Sequence, residues 1–328
     1  MLNNKNIIIT GGSGSLGNRL VERIMTEYKP NKIVIYSRDE FKQDLMQKKY
    51  PQWKETLRYF IGDVADKERL NRAFEGMDIV IHAAAMKQVP TCEYNSIEAV
   101  KTNITGAVNI INCAIDKGVK KVIALSTDKS CNPVTLYGCT KAVSDKLFIA
   151  GNAYCGGKDT KFSVVRYGNV TGSRGSVVPF FKTLLDKGAD SLPITDFRMT
   201  RFYITLDQGV DLIFKTIAEA KGGETFVSKI PSYKIIDLAR AMSPDVKLYE
   251  VGIRESEKLH ETMITEEDAR TTYDYGDYYI IYPCLEWWDF KKHFKEGGNL
   301  VMGGFIYKSD TNSEWLFKDD LQRKLREL

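Results

Sequence analysis

The chain has 328 residues, of which 43% are hydrophobic and 27% charged, and its formal net charge is +4. This composition is ordinary for a globular protein and argues against intrinsic disorder. The length exceeds what one hydrophobic core usually serves, so we expect one large domain with an added lobe, or two closely joined domains. The weak positive charge, without a polybasic run, argues against a nucleic-acid-binding function.

Targeting and metal-binding signals are absent from the sequence. The six cysteines contain no paired CxxC, and the apolar run Ile7–Ile9 is too short for a signal peptide. A membrane helix would need a run of about 18 apolar residues, which the chain lacks. The three histidines are spread too widely to indicate a metal set. We therefore expect a cytoplasmic protein with free thiols, without a membrane segment and without a metal.

The first half of the chain alternates short β-branched runs with amphipathic helical segments, which predicts parallel βαβ units. The predicted strands are Asn6–Thr10, Lys32–Tyr36, Leu57–Ile61, Asp78–His82, Lys121–Ser126 and Phe162–Arg166. They indicate an α/β fold with a doubly wound parallel sheet of the Rossmann type and a smaller, interleaved C-terminal substrate lobe. A capping box at Thr205 and Gln208 predicts the start of a helix.

The regular alternation of predicted strands and helices ends near residue 168, and we place the predicted domain division there. We assign residues 1–168 to a dinucleotide-binding domain, to which a segment near 200–236 returns. Residues 169–199 and 237–328 form the predicted substrate lobe.

A glycine loop, TGGSGSLG, lies between the first predicted strand and the first predicted helix. Gly12, Gly14 and Gly17 fit the spacing GxGxxG, and Gly11, Gly14 and Gly17 fit GxxGxxG. Glycines let the backbone turn tightly and approach a pyrophosphate, which then rests on the amino end of the helix. A plain strand–helix connection is the alternative, but the context of the motif favours a dinucleotide site.

The end of the second strand bears on which dinucleotide binds. Ser37 and Arg38 stand where they would hold a 2′-phosphate, which favours NADP. In the alternative, Arg38 is a surface residue and Asp39 grips the ribose hydroxyls of NAD. Asp63 and Val64, after the third strand, fit an adenine contact or an ordinary turn.

A Tyr-x-x-x-Lys motif, Tyr137 and Lys141, follows the strand that ends at Thr127. On a helix this spacing places both side chains on one face. A lysine cation near the phenol, together with the positive charge of a nicotinamide, favours phenolate, so we expect the tyrosine pKa to fall and the residue to serve as a base. Thr127 would hydrogen-bond the same substrate hydroxyl. The motif also occurs by chance as an exposed helix pair.

Nine segments of the chain resemble the extended short-chain dehydrogenase/reductase superfamily and, more narrowly, the inverting UDP-N-acetylglucosamine 4,6-dehydratases of the pseudaminic acid pathway. The segments are TGGSGSLG, YSRDE, IGDV, HAAAMKQVP, KTNITGAVN, LSTDK, NPVTLYGCTK, RYGNVTGSRGSVVPFF and MTRF. The likeness runs from about residue 5 to residue 262. It implies NADP as cofactor, UDP-N-acetylglucosamine as substrate and a homo-oligomer.

The resemblance also implies a set of cofactor-binding residues. They are Gly11, Ser13, Gly14, Ser15, Leu16, Gly17, Ser37, Arg38, Asp39, Lys42, Asp63, Val64, Ala83, Lys87, Tyr137, Lys141 and Val170.

Asp128 and Lys129 are the most distinctive part of the resemblance, because most sugar-nucleotide 4,6-dehydratases carry an Asp-Glu pair there and the inverting family carries lysine second. The resemblance implies that Tyr137 takes the 4-hydroxyl proton and that Asp128 protonates the departing 6-hydroxyl. Lys129 would remove the C5 hydrogen as a neutral amine, its pKa lowered by burial and by Lys141. From spacing alone, a structural ion pair between Asp128 and Lys129 is equally well supported.

The residues that the resemblance places on the substrate are Lys87, Asn169, Arg174, Gly175, Ser176, Val177, Thr195, Arg201, Arg254 and Glu257. Two positions depart from the family pattern. Gln88 stands where relatives often have histidine, and Ser256 replaces the glycine of an R-x-G-E-K motif, so the loop around it would sit differently if that glycine needs a positive φ.

Other functions remain open at this stage. A nucleotide-sugar 4-epimerase needs the tyrosine and the lysine but no elimination pair, and a C5-retaining 4,6-dehydratase would share most of the site. A non-catalytic NADP-binding regulator is a third alternative, although such proteins often lose the tyrosine or lysine that this chain keeps.

Overall fold

The computed structural model describes residues 1–172, 176–253 and 257–327. Its strands are β1 (Asn6–Thr10), β2 (Lys32–Ser37), β3 (Leu57–Ile61), β4 (Ile79–His82), β5 (Lys121–Leu125), β6 (Lys161–Arg166), β7 (Ser191–Ile194), β8 (Thr200–Phe202), β9 (Thr225–Ser228), β10 (Ser232–Lys234), β11 (Lys247–Glu250), β12 (Thr262–Ile264), β13 (Thr272–Asp274), β14 (Tyr278–Ile281), β15 (Asn299–Leu300) and β16 (Tyr307–Lys308).

Its helices are α1 (Ser15–Glu27), α2 (Glu40–Lys49), α3 (Lys67–Ala73), α4 (Val89–Tyr94), α5 (Ser96–Val100), α6 (Gly106–Lys117), α7 (Leu136–Gly151), α8 (Val177–Asp186), α9 (Leu206–Glu219), α10 (Ile235–Met242), α11 (Glu266–Ala269), α12 (Phe290–His293) and α13 (Lys318–Arg326). A π-helical turn, Lys101–Thr105, joins α5 to α6. None of the described helices is both long enough and apolar enough to cross a membrane.

Among the described residues, ten strands form one sheet in the order β15-β13-β14-β9-β6-β5-β4-β1-β2-β3. The strands from β3 to β9 along this order run parallel, and β14, β13 and β15 continue the sheet antiparallel. The order 3-2-1-4-5-6 is that of a dinucleotide-binding Rossmann sheet. The predicted fold class is therefore confirmed.

The sheet is covered by helices on both faces, because successive side chains of a strand point to opposite sides. Ile7 and Ile9 of β1 belong to one apolar core, together with α1 and α9. Ile8, between them, belongs to the other core, which α3, α6 and α7 cover. This double burial explains why the strands are almost continuously apolar. All six predicted strands form, and each of their bounds lies within one residue of the prediction.

A third core lies in the smaller lobe, where α8, α10, α13 and β7 pack around Phe181, Leu238 and Leu321. The chain leaves the main sheet after β6 and returns to it at β9, which lies between β6 and β14. Residues 272–281 and 299–300, which the sequence placed in the lobe, extend the main sheet instead. The apolar run Tyr278–Ile281 is fully buried there, as the hairpin partner of β13. The other predicted domain bounds stay predictions.

The capping box predicted at the start of α9 is present. Thr205 accepts a hydrogen bond from the main-chain N–H of Gln208 at 3.2 Å, and the Gln208 side chain accepts one from the Thr205 N–H at 2.9 Å. Both donors would otherwise lack a partner within the helix.

We expect Thr205→Ala to lower the free energy of unfolding by about 1 kcal/mol, because it removes this cap. Urea denaturation followed by circular dichroism measures the change. Thr26→Ala is the matched control, because the Thr26 hydroxyl is exposed in the last turn of α1 and bonds only to carbonyls of its own helix. Equal destabilisation by the two variants would contradict the role of the cap.

Candidate active site

At the carboxyl end of β1, the main chain of the glycine loop packs directly against the main chain of the loop after β4 and of α1. Gly11 has a φ of +69°, and a Cβ atom there would lie 2.8 Å from the main-chain nitrogen of Ala84. A Cβ on Gly17 would collide with the carbonyl of Gly12, so α1 packs directly on the loop. Any larger residue at these positions would push the helix or the β4 loop away, which is the physical reason for the glycines.

The amino end of α1 is open to an anion. Gly14 is its N-cap, and among the described residues no side chain caps the first turn, whose amides belong to Ser15, Leu16 and Gly17. β1 pairs with both β2 and β4, so this end of the helix lies where the strand order reverses. Dinucleotides bind at this crevice in Rossmann sheets. The residues present fit the pyrophosphate of a dinucleotide.

Ser13, Ser37 and Arg38 meet beside the loop. The Ser13 hydroxyl donates to the Ser37 Oγ at 2.9 Å, which ties the glycine loop to the end of β2. The Arg38 side chain is 58% exposed and its Nη1 lies 3.2 Å from a carboxylate oxygen of Asp63. Arg38 is therefore free to turn toward a ligand at small cost, since an exposed ion pair contributes little.

Asp39 is engaged in capping α2. It accepts the main-chain N–H of Lys42 at 2.9 Å, and its second carboxylate oxygen lies 2.5 Å from the Lys42 Nζ. A carboxylate that caps a helix and pairs with a lysine is less well placed to grip ribose hydroxyls. The connection from β2 to α2 therefore places two cations, Arg38 and Lys42, beside the predicted site for the adenosine part of the cofactor.

Four further predicted cofactor residues follow the carboxyl ends of β3, β4 and β6. The Ala83 main chain touches Gly11, and Val64 packs against Gly106. Val170 forms an isolated bridge with Ile204. Lys87 lies exposed in the loop after β4.

Asn103, in the π-helical turn, holds the loop after β4 in place. The sequence motifs did not predict this role. Its side chain bonds both the N–H and the carbonyl of Met86, each at 2.9 Å. It also donates to the hydroxyl of Thr140 at 3.0 Å. A single asparagine gives no sequence signal for such a role, which depends on where α7 lies.

Thr127, Asp128 and Tyr137 form a compact group at the carboxyl end of β5. Asp128 is fully buried, and its Oδ1 accepts the Thr127 hydroxyl at 2.8 Å. Tyr137, on the first turn of α7, is 8% exposed, and Thr127 acts to lower its pKa. The prediction that these residues meet agrees with the geometry.

The predicted fall in the pKa of Tyr137 depends in part on the charge of a bound nicotinamide and stays a prediction. Burial raises this pKa to about 12, and the opposing effects of the Lys129 charge and the Thr127 hydrogen bond are smaller. Lys141, one turn further along α7, is 3% exposed, and burial lowers its pKa although Asp145 opposes the change. Desolvation of both groups outweighs their mutual attraction.

Lys129 lies at the centre of the cluster. Its Nζ is 3.0 Å from the Asn169 Oδ1, 3.2 Å from the Asp128 Oδ1 and 3.3 Å from the Glu261 Oε1. Burial acts to lower its pKa, but the two carboxylates outweigh burial and raise it. The expectation that burial and Lys141 lower the Lys129 pKa is therefore wrong, because the nearest charges are negative. The resting residue is an ammonium.

Asp128 and Glu261 have opposite protonation tendencies. Burial, and then the Glu261 charge, raises the pKa of Asp128. Burial also acts to raise the pKa of Glu261, but Lys129, Arg201 and Lys258 together lower it. Asp128 is thus the carboxyl of the pair that takes up a proton more readily. The sequence did not identify Glu261, because it lies 132 residues from Lys129 and matches no short motif.

The structure brings three of the predicted substrate residues to this cluster, namely Asn169, Arg201 and Glu257. Arg201 is 7% exposed, and it donates to the main-chain carbonyls of Thr200, Lys258 and Leu259. Its Nη2 lies 3.5 Å from the Glu257 Oε1. Its guanidinium is thus held by the protein, and a direct contact with diphosphate stays a prediction.

Ser176, Val177 and Thr195 lie further out. Ser176 is the N-cap of α8, which Val177 begins, and among the described residues the buried Ser176 Oγ has no hydrogen-bond partner. An unpartnered hydroxyl at a helix amino end suits an anionic ligand. Thr195 is half-buried directly after β7.

The predicted residues Arg174, Gly175 and Arg254, and the departure at Ser256, lie outside the described residues. Within the described ranges no group of three or more His, Cys, Asp or Glu side chains is arranged to hold a metal ion.

Comparison with known proteins places this site in a family. A family model described as "Polysaccharide biosynthesis protein" matches residues 7–283. The chain is 53% identical, over 98% of its length and 97% of the relative, to the UDP-N-acetylglucosamine 4,6-dehydratase (inverting) of Campylobacter jejuni subsp. jejuni serotype O:2. It is 40% identical to a UDP-glucose 4-epimerase of Rickettsia akari, over 92% of the chain and 89% of that protein.

Among solved structures, Pen from Bacillus thuringiensis superposes with a TM-score of 0.91 and 34% identity, covering 100% of this chain and 98% of that one. The resemblance read from the sequence motifs is confirmed by these matches. The chain belongs to the polysaccharide biosynthesis protein family that includes inverting UDP-N-acetylglucosamine 4,6-dehydratases.

Proposed function

We propose that the chain is an NADP-dependent UDP-N-acetylglucosamine 4,6-dehydratase that inverts C5, giving UDP-2-acetamido-2,6-dideoxy-β-L-arabino-hex-4-ulose as the first step of pseudaminic acid-type sugar biosynthesis. The observation that carries the proposal is the pair of buried Asp128 and partly buried Lys129, which lies beside Tyr137 at the open edge of a dinucleotide crevice. The name and 53% identity of the Campylobacter relative support it.

The cofactor would lie on the glycine loop and the amino end of α1, with its 2′-phosphate toward Arg38 and Lys42. When bound, the nicotinamide accepts a hydride from C4 of the sugar and supplies it to C6. NADP is favoured over NAD by the exposed Arg38 and by the engagement of Asp39 in capping α2.

Tyr137 and Thr127 would act on the 4-hydroxyl. The Tyr137 Oη takes the hydroxyl proton and Thr127 orients the same oxygen, since Thr127 is close enough to Tyr137 to act on its pKa. The high pKa of the buried phenol means that it needs further positive charge to ionise, which Lys141 and a bound nicotinamide would provide together.

Asp128 and Lys129 would carry out the elimination. Burial raises the pKa of Asp128, and its Oδ2 has no partner among the described residues, so its protonated form is placed to donate to the departing 6-hydroxyl. Lys129, whose side chain is 23% exposed, would first release its ammonium proton to solvent and then remove the C5 hydrogen as a neutral amine. The step converts Asp128 to carboxylate and Lys129 to ammonium, while water leaves and a C5–C6 double bond forms.

A 4-epimerase is the second candidate, because the Rickettsia relative at 40% identity bears that name. An epimerase needs Tyr137, Lys141 and a nicotinamide but no acid at C6. The buried Asp128, whose pKa is raised by burial, favours the dehydratase.

A second copy of the chain would pack on α6 and α7. Val108 and Val143 are 37% and 44% exposed on these helices, and Ala142, Leu147 and Ala150 line a shallow apolar groove beside them. A twofold contact needs one self-complementary patch, and an exposed apolar helix pair provides it. The buried face of α7 carries Tyr137 and Lys141, so such a contact would support the helix that holds the site.

The reaction is tested by proton NMR with NADP⁺ and UDP-N-acetylglucosamine in deuterated water. We expect a new C6 methyl signal, deuterium at C5 and the L-arabino configuration. Lys129→Met should lower turnover by about 10²- to 10⁴-fold, the usual contribution of a general base. Lys48→Met, on an exposed lysine of α2, is the control. A D-xylo product would refute inversion, and a 4-epimer without a methyl signal would refute the dehydratase.

Cofactor choice is tested by titrating NADPH and NADH against the change in their fluorescence. We expect Arg38→Ala to raise the Kd for NADPH by about 10- to 100-fold, because a charge-assisted hydrogen bond contributes about 1.5–3 kcal/mol. The Kd for NADH should change little. Arg58→Ala, on an exposed arginine of β3, controls for general loss of positive charge. An equal loss for both cofactors would contradict NADP selectivity.

Assembly is tested by light scattering after gel filtration. We expect the parent protein to elute as an oligomer and Val143→Glu to reduce its mass toward that of one chain, because a buried unpaired charge disfavours the contact. Met302→Glu, at an 83% exposed residue after β15, should leave the mass unchanged. A monomeric parent, or an oligomer that Val143→Glu leaves intact, would contradict assembly through α7.

A further inference from the structure

Glu261 lies in the catalytic cluster without any role assigned to it by the reaction described above. It precedes β12 and is 2% exposed, and its Oε1 lies 3.3 Å from the Lys129 Nζ and 3.6 Å from the Arg201 Nε. Among the described residues its Oε2 has no hydrogen-bond partner. A buried carboxylate is costly unless cations neutralise it, so its position has to be explained.

The main chain holds Glu261 rigidly. Its N–H donates to the Ser309 Oγ at 2.9 Å, and its carbonyl accepts the Ser309 N–H at 2.8 Å. Ser309 is fully buried and follows β16, which pairs with β12. The carboxylate is therefore fixed relative to Lys129 by a sheet rather than by a loose loop.

The cations around Glu261 keep it ionised, while Asp128 lies on the other side of the same ammonium. The negative charge of Glu261 disfavours a second negative charge on Asp128, as happens when two carboxylates share one site. Asp128 is the one that takes up a proton more readily, because its one described salt-bridge partner is Lys129, while Glu261 has both Lys129 and Arg201.

We propose that Glu261 is a positioning residue of this cluster: its fixed carboxylate holds the Lys129 ammonium in place and, by repulsion, keeps the Asp128 carboxyl in the protonated form that donates to the leaving hydroxyl. This inference rests on the proposed dehydratase function. The other titratable or charged groups that face the cluster are Lys87, Tyr137, Arg201, Tyr233, Glu257 and Lys258.

Removing the Glu261 charge should move two titrations in the same direction. Without the anion, ionised Asp128 is repelled less, so its pKa falls, and the Lys129 ammonium is stabilised less, so its pKa falls too. The reaction needs protonated Asp128, which is lost as pH rises, and neutral Lys129, which is gained as pH rises. Both limbs of the pH profile of kcat therefore move to lower pH.

The test compares Glu261→Gln with the parent. We expect kcat at the optimum to fall by about 100-fold, as for a small misplacement of a catalytic group, and both limbs to shift down by about 1 to 3 pH units. Glu261→Asp keeps the charge, so its limbs should stay near those of the parent although its kcat falls. Glu224→Gln changes an equally buried glutamate before β9, bonded to the Lys221 and Gly222 amides, and should lower stability without moving the profile.

A second readout does not depend on the reaction. In protein labelled with ¹⁵Nζ-lysine, the Lys129 signal, assigned by its loss in Lys129→Arg, should titrate at least about one unit lower in Glu261→Gln. An unchanged Lys129 titration would overturn the inference, as would a Glu261→Gln pH profile that matches the parent after scaling. A parent that titrates as expected but forms no 4-keto-6-deoxy product would refute the dehydratase function and leave the role of Glu261 toward Lys129 standing.

Discussion

The Lys129 ammonium, placed between two carboxylates that are out of contact with water, is the interaction on which the site depends. It joins the end of β5 to the segment before β12, which are 132 residues apart in the chain. Such a cluster is stable only when every charge in it is balanced, and removing one partner of a buried pair costs about 3–5 kcal/mol. Arg201, in β8, supplies the second cation beside Glu261. The same contacts therefore fix both the geometry of the proposed catalytic group and the docking of the lobe on the sheet.

The sheet determines where this cluster can form. The carboxyl ends of β1, β4, β5 and β6 lie along one edge, so the glycine loop, the loop after β4, Thr127 and Asn169 face one crevice. The close contact of Gly17 with Gly12 lets α1 begin directly at this edge. A cofactor held on α1 and a sugar held by the lobe would thus meet beside Tyr137, without a large movement of either part.

Local patterns predicted most of the first half of the molecule, because βαβ units are built from neighbouring segments. The six strands, the cap at Thr205 and the meeting of Thr127 with Tyr137 follow from periodicity and spacing. The antiparallel addition of β14, β13 and β15 was not predicted, since short strands give weak signals and their partner is distant in sequence.

Charge states were the least predictable feature of the site. The spacing of Tyr137 and Lys141 indicates proximity but not desolvation, which raises the pKa of the phenol to about 12. The sequence suggests Lys141 as a charge close to Lys129, whereas the fold supplies Glu261, which lies 132 residues further along the chain. Electrostatics depends on every group within a few ångströms, and most of those groups arrive through tertiary contacts.

The mutual hydrogen bonds of Glu261 and Ser309 set an order of events during synthesis. Domains generally fold as they leave the ribosome, amino end first, so the dinucleotide crevice can form early. The Glu261 carboxylate beside Lys129 is fixed in position only when residues 307–309 have left the ribosome and paired with β12 and Glu261. A nascent chain can thus hold the shape of a cofactor site while Glu261 is not yet fixed beside Lys129, and the proposed acid–base cluster is completed only once residues 307–309 have been translated.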